Sequence, residues 1–289
     1  MKCNLCEKEF NSENFVNEYE KISVKNPQDY KDIFTYIFCK NCGVGFLENI
    51  ESVKIKENYN NEYNEYEGAS ENGIFKKILE FFYYPRNKFI QDLNIKNNSI
   101  FDIGCGNGTF LQSVSSNFAK VYGSDYNQSA LKIAKSKIPS LILMPENIGN
   151  VRLRFDVITL WHVLEHIPNP VEFVSNIKKM MNKDSTLVLE VPNSNSIMFR
   201  IFKENYKWIS LPEHLFFYNE KSLSFLFKKC ELDIIKIYYP RLFPLMLTKT
   251  INNTFLKLVS VPISIFLYII TPVFKGTESV RIVVKKNEK

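Results

Sequence analysis

What this sequence lacks narrows its class before any motif is read. It begins Met1-Lys-Cys-Asn-Leu-Cys-Glu7 without an apolar signal core, so the expected location is the cytoplasm. Its net charge of +6 is not gathered into a basic block, so nucleic acid is not an expected partner and the lysines read as a solvated surface. Its most apolar uncharged stretch, 258–274, would extend roughly 25 Å as a helix, short of the ~30 Å bilayer core. That stretch also contains Pro262 and Pro272, and a crossing there would strand the last β-strand on the far side of a membrane. Spanning is therefore excluded. Histidine is scarce, at three residues, so the placement of each one carries weight. Six cysteines in a chain expected to stay in a reducing compartment read as metal ligands or buried thiols, not disulfides.

What is present is an α/β pattern. At 289 residues and 45% hydrophobic content the chain can bury one full core plus a small accessory module. Ser99-Ile-Phe-Asp-Ile-Gly-Cys-Gly-Asn-Gly-Thr-Phe-Leu111 reads as a buried strand, a tight turn and a helix start. Gly104, Gly106 and Gly108 let the backbone turn sharply and approach a ligand, and the helix after them offers unpaired N–H groups. A second acid, Asp125, ends the next strand about twenty residues on, where a doubly wound sheet places a carboxylate for ribose hydroxyls. Asp102 stands just before the first glycine, where it would repel a pyrophosphate and welcome a cationic ligand. Alternation continues through strands at 141–144, 155–160, 186–191, 232–239 and 278–284, with helices at 109–118, 127–137 and 170–181. The pattern implies a doubly wound, mostly parallel, Rossmann-like sheet with ligands at the carboxyl ends of its strands.

Cys3-x-x-Cys6 and Cys39-x-x-Cys42 form two knuckles, each able to bring two thiolates to one tetrahedral zinc. With Phe34–Phe38 a strand running into the second knuckle, residues 1–50 read as a zinc ribbon, followed by a linker and helical cap at 51–98. Four thiolates leave no coordination position for substrate, so this Zn2+ is expected to be structural.

The run Asp102-Ile-Gly-Cys-Gly-Asn-Gly108, with Phe155-Asp-Val-Ile-Thr-Leu-Trp-His-Val-Leu-Glu-His-Ile-Pro-Asn-Pro170, resembles the class I S-adenosylmethionine-dependent methyltransferases over roughly 99–284. The resemblance implies that Asp102 and the glycine backbone hold the amino-acid end of S-adenosylmethionine and Asp125 its ribose. It places Glu146 or Asn147 near the adenine and His162 near the methionine part. His162 and His166 stand at helical spacing and are expected to share a face. His214 lies in Leu-Pro-Glu-His-Leu-Phe-Phe-Tyr218, which resembles an element after the fifth strand in small-molecule O-methyltransferases and zinc-containing sugar C-methyltransferases. Those sugar enzymes carry a tyrosine where this chain has Leu211. His214 and His166 are the candidate bases for an acceptor hydroxyl.

The acceptor read from these features is a small molecule, a saccharide or lipid-linked intermediate of surface glycan synthesis, with O-methylation first. Sugar C-methylation and a quinone or aromatic hydroxyl are the alternatives, and a non-catalytic binding module is the rival class, disfavoured by the intact cofactor residues. Tyr63 and Tyr66 are candidate lid residues. The apolar stretch 242–274 covers a sheet edge or rests at the inner face of the cell membrane as a peripheral contact, with Lys249, Lys257 and Lys275 towards headgroups.

Overall fold

The computed structural model describes residues 2–9, 19–25, 33–48, 86–93, 95, 98–202, 213–240 and 275–287. Tyr63, Tyr66, Leu211 and the stretch 242–274 lie outside them. Three strands precede the main sheet: β1 (Tyr19–Lys25), β2 (Ile33–Cys39) and β3 (Gly45–Leu47). The main sheet takes β4 (Ser99–Ile103), β5 (Lys120–Ser124), β6 (Ile142–Leu143), β7 (Phe155–Trp161), β8 (Met181–Pro192), β10 (Leu232–Tyr238) and β11 (Ser279–Lys286). The two-residue strand β9 (Phe216–Phe217) lies between β8 and β10 in the chain but belongs to the other sheet.

The seven strands run in the order β10-β11-β8-β7-β4-β5-β6. The pairs β4·β5, β4·β7, β5·β6 and β7·β8 are parallel, and β11 lies antiparallel between β8 and β10. This is the doubly wound, Rossmann-like sheet expected from the alternation, with the final strand inserted antiparallel beside the sixth. Its two faces part at neighbouring residues. Ile100, Val121 and Val157 point to one core with Leu111, Leu131 and Ala134 of the helices Thr109–Val114 and Gln128–Lys137. Phe101, Tyr122 and Ile158 point to the other, with Val174 and Ile177 of helix Pro170–Lys179 and Leu223, Leu226 and Phe227 of helix Glu220–Lys229. Strands covered on both faces are largely apolar, which is why β4 and β7 read as near-continuous apolar runs, broken inside by the buried Asp102 and Thr159.

The helix starts have local causes. Asn127 accepts from the Ala130 N–H, Pro170 occupies the first turn, and Asn219 and Ser222 form a reciprocal capping box. Strand β8 starts earlier than the apolar run Thr186–Val191, because Met181 pairs with Phe155 before an irregular step at 182–185. Residues 86–92 are helical, consistent with the helical spacing in that region being interrupted at Pro85.

The second sheet is antiparallel in the order β1-β2-β3-β9. Its partner on the far edge is Phe216–Phe217, just after His214, with Gly45 opposite Phe217 and Phe46 opposite Phe216. The cysteine module therefore shares a sheet with the segment after β8. Its buried residues Leu5, Tyr36, Ile37 and Phe46 belong to the same continuous core as helix Glu220–Lys229.

Candidate active site

The glycine loop closes the end of β4. Gly104, Gly106 and Gly108 all have positive φ, at 74°, 52° and 73°. A Cβ at Gly104 would meet the Val163 side chain at 2.5 Å, and one at Gly108 would meet Ala134 at 2.8 Å, so both positions demand glycine on space as well as conformation. Asp102 is buried in β4, and its Oδ1 accepts from the Thr159 hydroxyl at 2.6 Å across the β4·β7 pair. Burial raises its pKa to about 7 against the pull of that hydrogen bond and of Arg86. Asp125, at the end of β5, accepts from Gly106 N–H at 2.8 Å and Asn127 N–H at 2.9 Å. Its carboxylate ties the glycine loop to the next strand. Burial raises its pKa too, with the exposed Glu146 adding a repulsion, so the structure brings Glu146 within electrostatic reach of Asp125.

At the end of β7 the structure departs from the expected helix. The strand runs through Trp161, His162 takes a left-handed φ of 58°, and only a short 3-10 turn, Leu164–His166, follows. His162 and His166 therefore do not share a helical face. His162 turns back to the sheet, with Nδ1 3.2 Å from Glu165 and Nε2 3.2 Å from Glu190. Burial pulls its pKa down, but the two carboxylates outweigh this and raise it to about 9. Glu190 is held by Arg281 Nε at 2.8 Å and by Arg86 at 2.9 Å, and both guanidinium groups stand over the Trp161 ring at 5.1 and 4.9 Å. Burial disfavours the Glu190 charge, yet the two arginines keep its pKa well below the usual carboxylate range. This charge cluster was not anticipated. The available signal was Glu190 inside Leu187-Val-Leu-Glu-Val191 and Arg281 inside Val280-Arg-Ile-Val283, charges in buried strands that require partners.

His166 ends the 3-10 turn and meets a different backbone segment. Its Nδ1 lies 2.8 Å from the backbone oxygen of Glu213. A carbonyl only accepts, so Nδ1 carries the proton and Nε2 the lone pair. The His166 and His214 rings meet edge to face at 4.9 Å. His214 is buried, its Nδ1 has no hydrogen-bond partner among the described residues, and burial lowers its pKa to about 3, with the His166 charge adding to the effect. Both imidazoles border Glu165, which is fully buried and whose backbone oxygen accepts from Leu215 N–H at 2.9 Å. The structure thus gathers the three histidines around Glu165: His162 pairs with it and with Glu190, and His166 and His214 border it beside the β3·β9 pair.

The four N-terminal cysteines converge. Cys3 Sγ lies 3.7 Å from Cys42 Sγ and Cys6 Sγ 3.7 Å from Cys39 Sγ, and all four lie within 4.8 Å of one another. A disulfide needs ~2.05 Å. A tetrahedron with Zn–S bonds of ~2.3 Å has sulfur–sulfur edges of ~3.8 Å, so the four sulfurs fit a single Zn2+. Cys105 and Cys230 are buried apart from this group, as a small residue in the glycine turn and a thiol at a helix end.

The sheet order, the antiparallel seventh strand and the acid–glycine loop define a class I methyltransferase fold. A family model described as a methyltransferase domain matches residues 66–237. The chain belongs to this family. It is 27% identical over 147 residues to the ubiquinone biosynthesis O-methyltransferase of Coxiella burnetii, covering 47% of this chain and 63% of that protein. It is 26% identical over 168 residues to the Glaesserella parasuis protein of the same name, covering 48% and 71%. Among solved structures it is similar to an S-adenosylmethionine-dependent methyltransferase from Archaeoglobus fulgidus, at 22% identity and a TM-score of 0.53 over 72% of this chain and 94% of that one. A methyltransferase from Clostridium acetobutylicum gives 14% and 0.51 over 78% and 99%. At such identities the two structures establish the fold.

Proposed function

We propose that this protein transfers a methyl group from S-adenosylmethionine to a hydroxyl oxygen of a small-molecule acceptor. The observation that carries the reading is the cofactor end: three positive-φ glycines between Asp102 and Asp125, with Asp125 fastened to the loop through Gly106 N–H. On this reading Asp125 accepts from the ribose hydroxyls, Glu146 lies on the adenine side, and Asp102 with the glycine backbone receives the amino-acid end. His162, whose two ring nitrogens are occupied by Glu165 and Glu190, borders the methionine part on this reading without donating to its carboxylate. S-adenosylmethionine supplies an electrophilic methyl on sulfur. The chain's part is to hold the acceptor oxygen in line with it and to exclude water, and such positioning supplies much of the acceleration. As the oxygen–methyl bond forms, the hydroxyl proton needs an acceptor, and His166 with His214 is the pair we assign to it. The four cysteines hold a structural Zn2+ in this reading.

For the acceptor, the cysteine module and the apolar stretch 242–274 support a saccharide or lipid-linked intermediate of surface glycan synthesis, which would place the protein in the cytoplasm or at the inner face of the membrane. The names of the Coxiella and Glaesserella relatives support a second reading, a quinone-type or aromatic hydroxyl. A sugar carbon is disfavoured by Leu211 at the position of a tyrosine in the sugar C-methyltransferases. Transfer of labelled methyl from S-adenosylmethionine to panels of lipid-linked saccharides and of dihydroxylated aromatic compounds separates these. Cofactor binding with no transfer to any hydroxyl acceptor would favour a binding module.

A further inference from the structure

The cysteine module touches the histidine pair through backbone, and this rests on the reading of His166 and His214 as the acceptor-side pair. We propose that the four-cysteine module is the back wall of the acceptor site and that Tyr36 is a positioning residue for His214. The Tyr36 hydroxyl donates to the backbone oxygen of His214 at 2.7 Å. Its ring is 1% exposed and packs edge to face on Phe217 at 4.9 Å. Tyr36 lies three residues before Cys39 on β2, so one short strand ends in a metal ligand and holds the backbone of a proposed catalytic residue.

The bonds on either side of this one make the contact directional. On the module's side, Leu47 N–H donates to Leu215 O at 3.0 Å, β3 pairs with β9, and Asn219 Nδ2 donates to the Gly43 oxygen of the second knuckle at 2.8 Å. On the sheet's side, His166 Nδ1 donates to Glu213 O at 2.8 Å and Leu215 N–H donates to Glu165 O at 2.9 Å. Consecutive backbone groups of Glu213, His214 and Leu215 are thus held alternately from the two sides. A displacement of β2 and β3 changes the His214–His166 geometry directly. The glycine loop is held by bonds within β4, β5 and β7, with Val163 packed between it and the His166 turn. A small metal-bound module depends on its ion for its fold, so loss of the tetrathiolate metal should be felt at the histidine pair more than at the cofactor.

The chain's three histidines make this measurable without knowing the acceptor. In protein labelled with 15N-histidine, the imidazole signals of His162, His166 and His214 are assigned by substitution and followed in the full chain. Tyr36→Phe, which keeps the ring and removes the donor, is expected to move the His214 and His166 signals more than those of His162, which meets them only through Glu165, and to keep S-adenosylhomocysteine affinity within twofold. Replacing the bound zinc by cadmium, which needs no substitution, should move the same two residues. Ser23→Ala, on the exposed β1 edge, is the control and should move none. Unchanged His214 signals in both the Tyr36→Phe and cadmium proteins would overturn the proposal, as would a tenfold loss of S-adenosylhomocysteine affinity in either. Wild-type protein that fails to bind S-adenosylhomocysteine at all would refute the methyltransferase reading, while the imidazole signals would still report on Tyr36.

Discussion

Both ring nitrogens of His162 are taken by buried carboxylates, Nδ1 by Glu165 and Nε2 by Glu190, each at 3.2 Å. With its pKa raised to about 9, His162 contributes stability that is fully present below the unfolded value of ~6.5 and is lost as pH rises through about 9. Its side chain is 37% exposed, so screening reduces the contribution to ~1–2 kcal/mol. Thermal melts from pH 7 to pH 10 should show the wild-type midpoint falling more steeply than that of Glu165→Gln. Parallel pH profiles for the two proteins would contradict this.

Asp125 joins the end of β5 to the glycine loop. Asp125→Ala should weaken S-adenosylmethionine binding by ~1.5–3 kcal/mol, through loss of a charged acceptor for the ribose and of the Gly106 bond. Asp125→Asn keeps one acceptor oxygen and should lie between the two. Calorimetry that gives equal affinities for all three proteins would remove the cofactor assignment.

The sulfur geometry calls for one tightly held zinc per chain. Metal analysis of protein purified without chelator should find it, and Cys39→Ser should reduce the content and lower the melting temperature, because the knuckles close a module that shares its core with helix Glu220–Lys229. Protein without zinc, or a Cys39→Ser variant with unchanged content, would refute the assignment.

The parts of this site legible in the sequence are those fixed over short range. Asp102 to Gly108 could be read because a sharp strand-to-helix turn needs positive φ at particular positions, and Asp125 because a parallel sheet puts the next strand end beside that turn. The paired knuckles carried their geometry in their spacing. The misread element was His162–His166, where a spacing of four suggests a helix while the strand persists to Trp161 and His162 reverses direction. Least legible was the pairing of Phe46 with Phe216, since two short aromatic strands distant in the chain have no local signal for each other. That pairing decides which surface lies behind His214.

The histidine pair is the part of the mechanism most open to direct test. Because His166 Nδ1 is committed to Glu213 O, its Nε2 presents the lone pair, and its ring is less buried than that of His214. If the pair receives the acceptor proton, His166→Ala and His214→Ala should each lower turnover with a hydroxyl acceptor, by ~10²–10⁴ for the residue that takes the proton. The larger loss is expected at His166, since a ring held neutral to about pH 3 by burial is a weak proton acceptor. S-adenosylhomocysteine affinity should stay near wild type in both, because neither ring touches the Asp102–Asp125 end. A larger loss at His214 would move the base there. Near-normal turnover of both variants across pH would mean that neither is the base and that the chain only positions an acceptor acidic enough to lose its proton unaided.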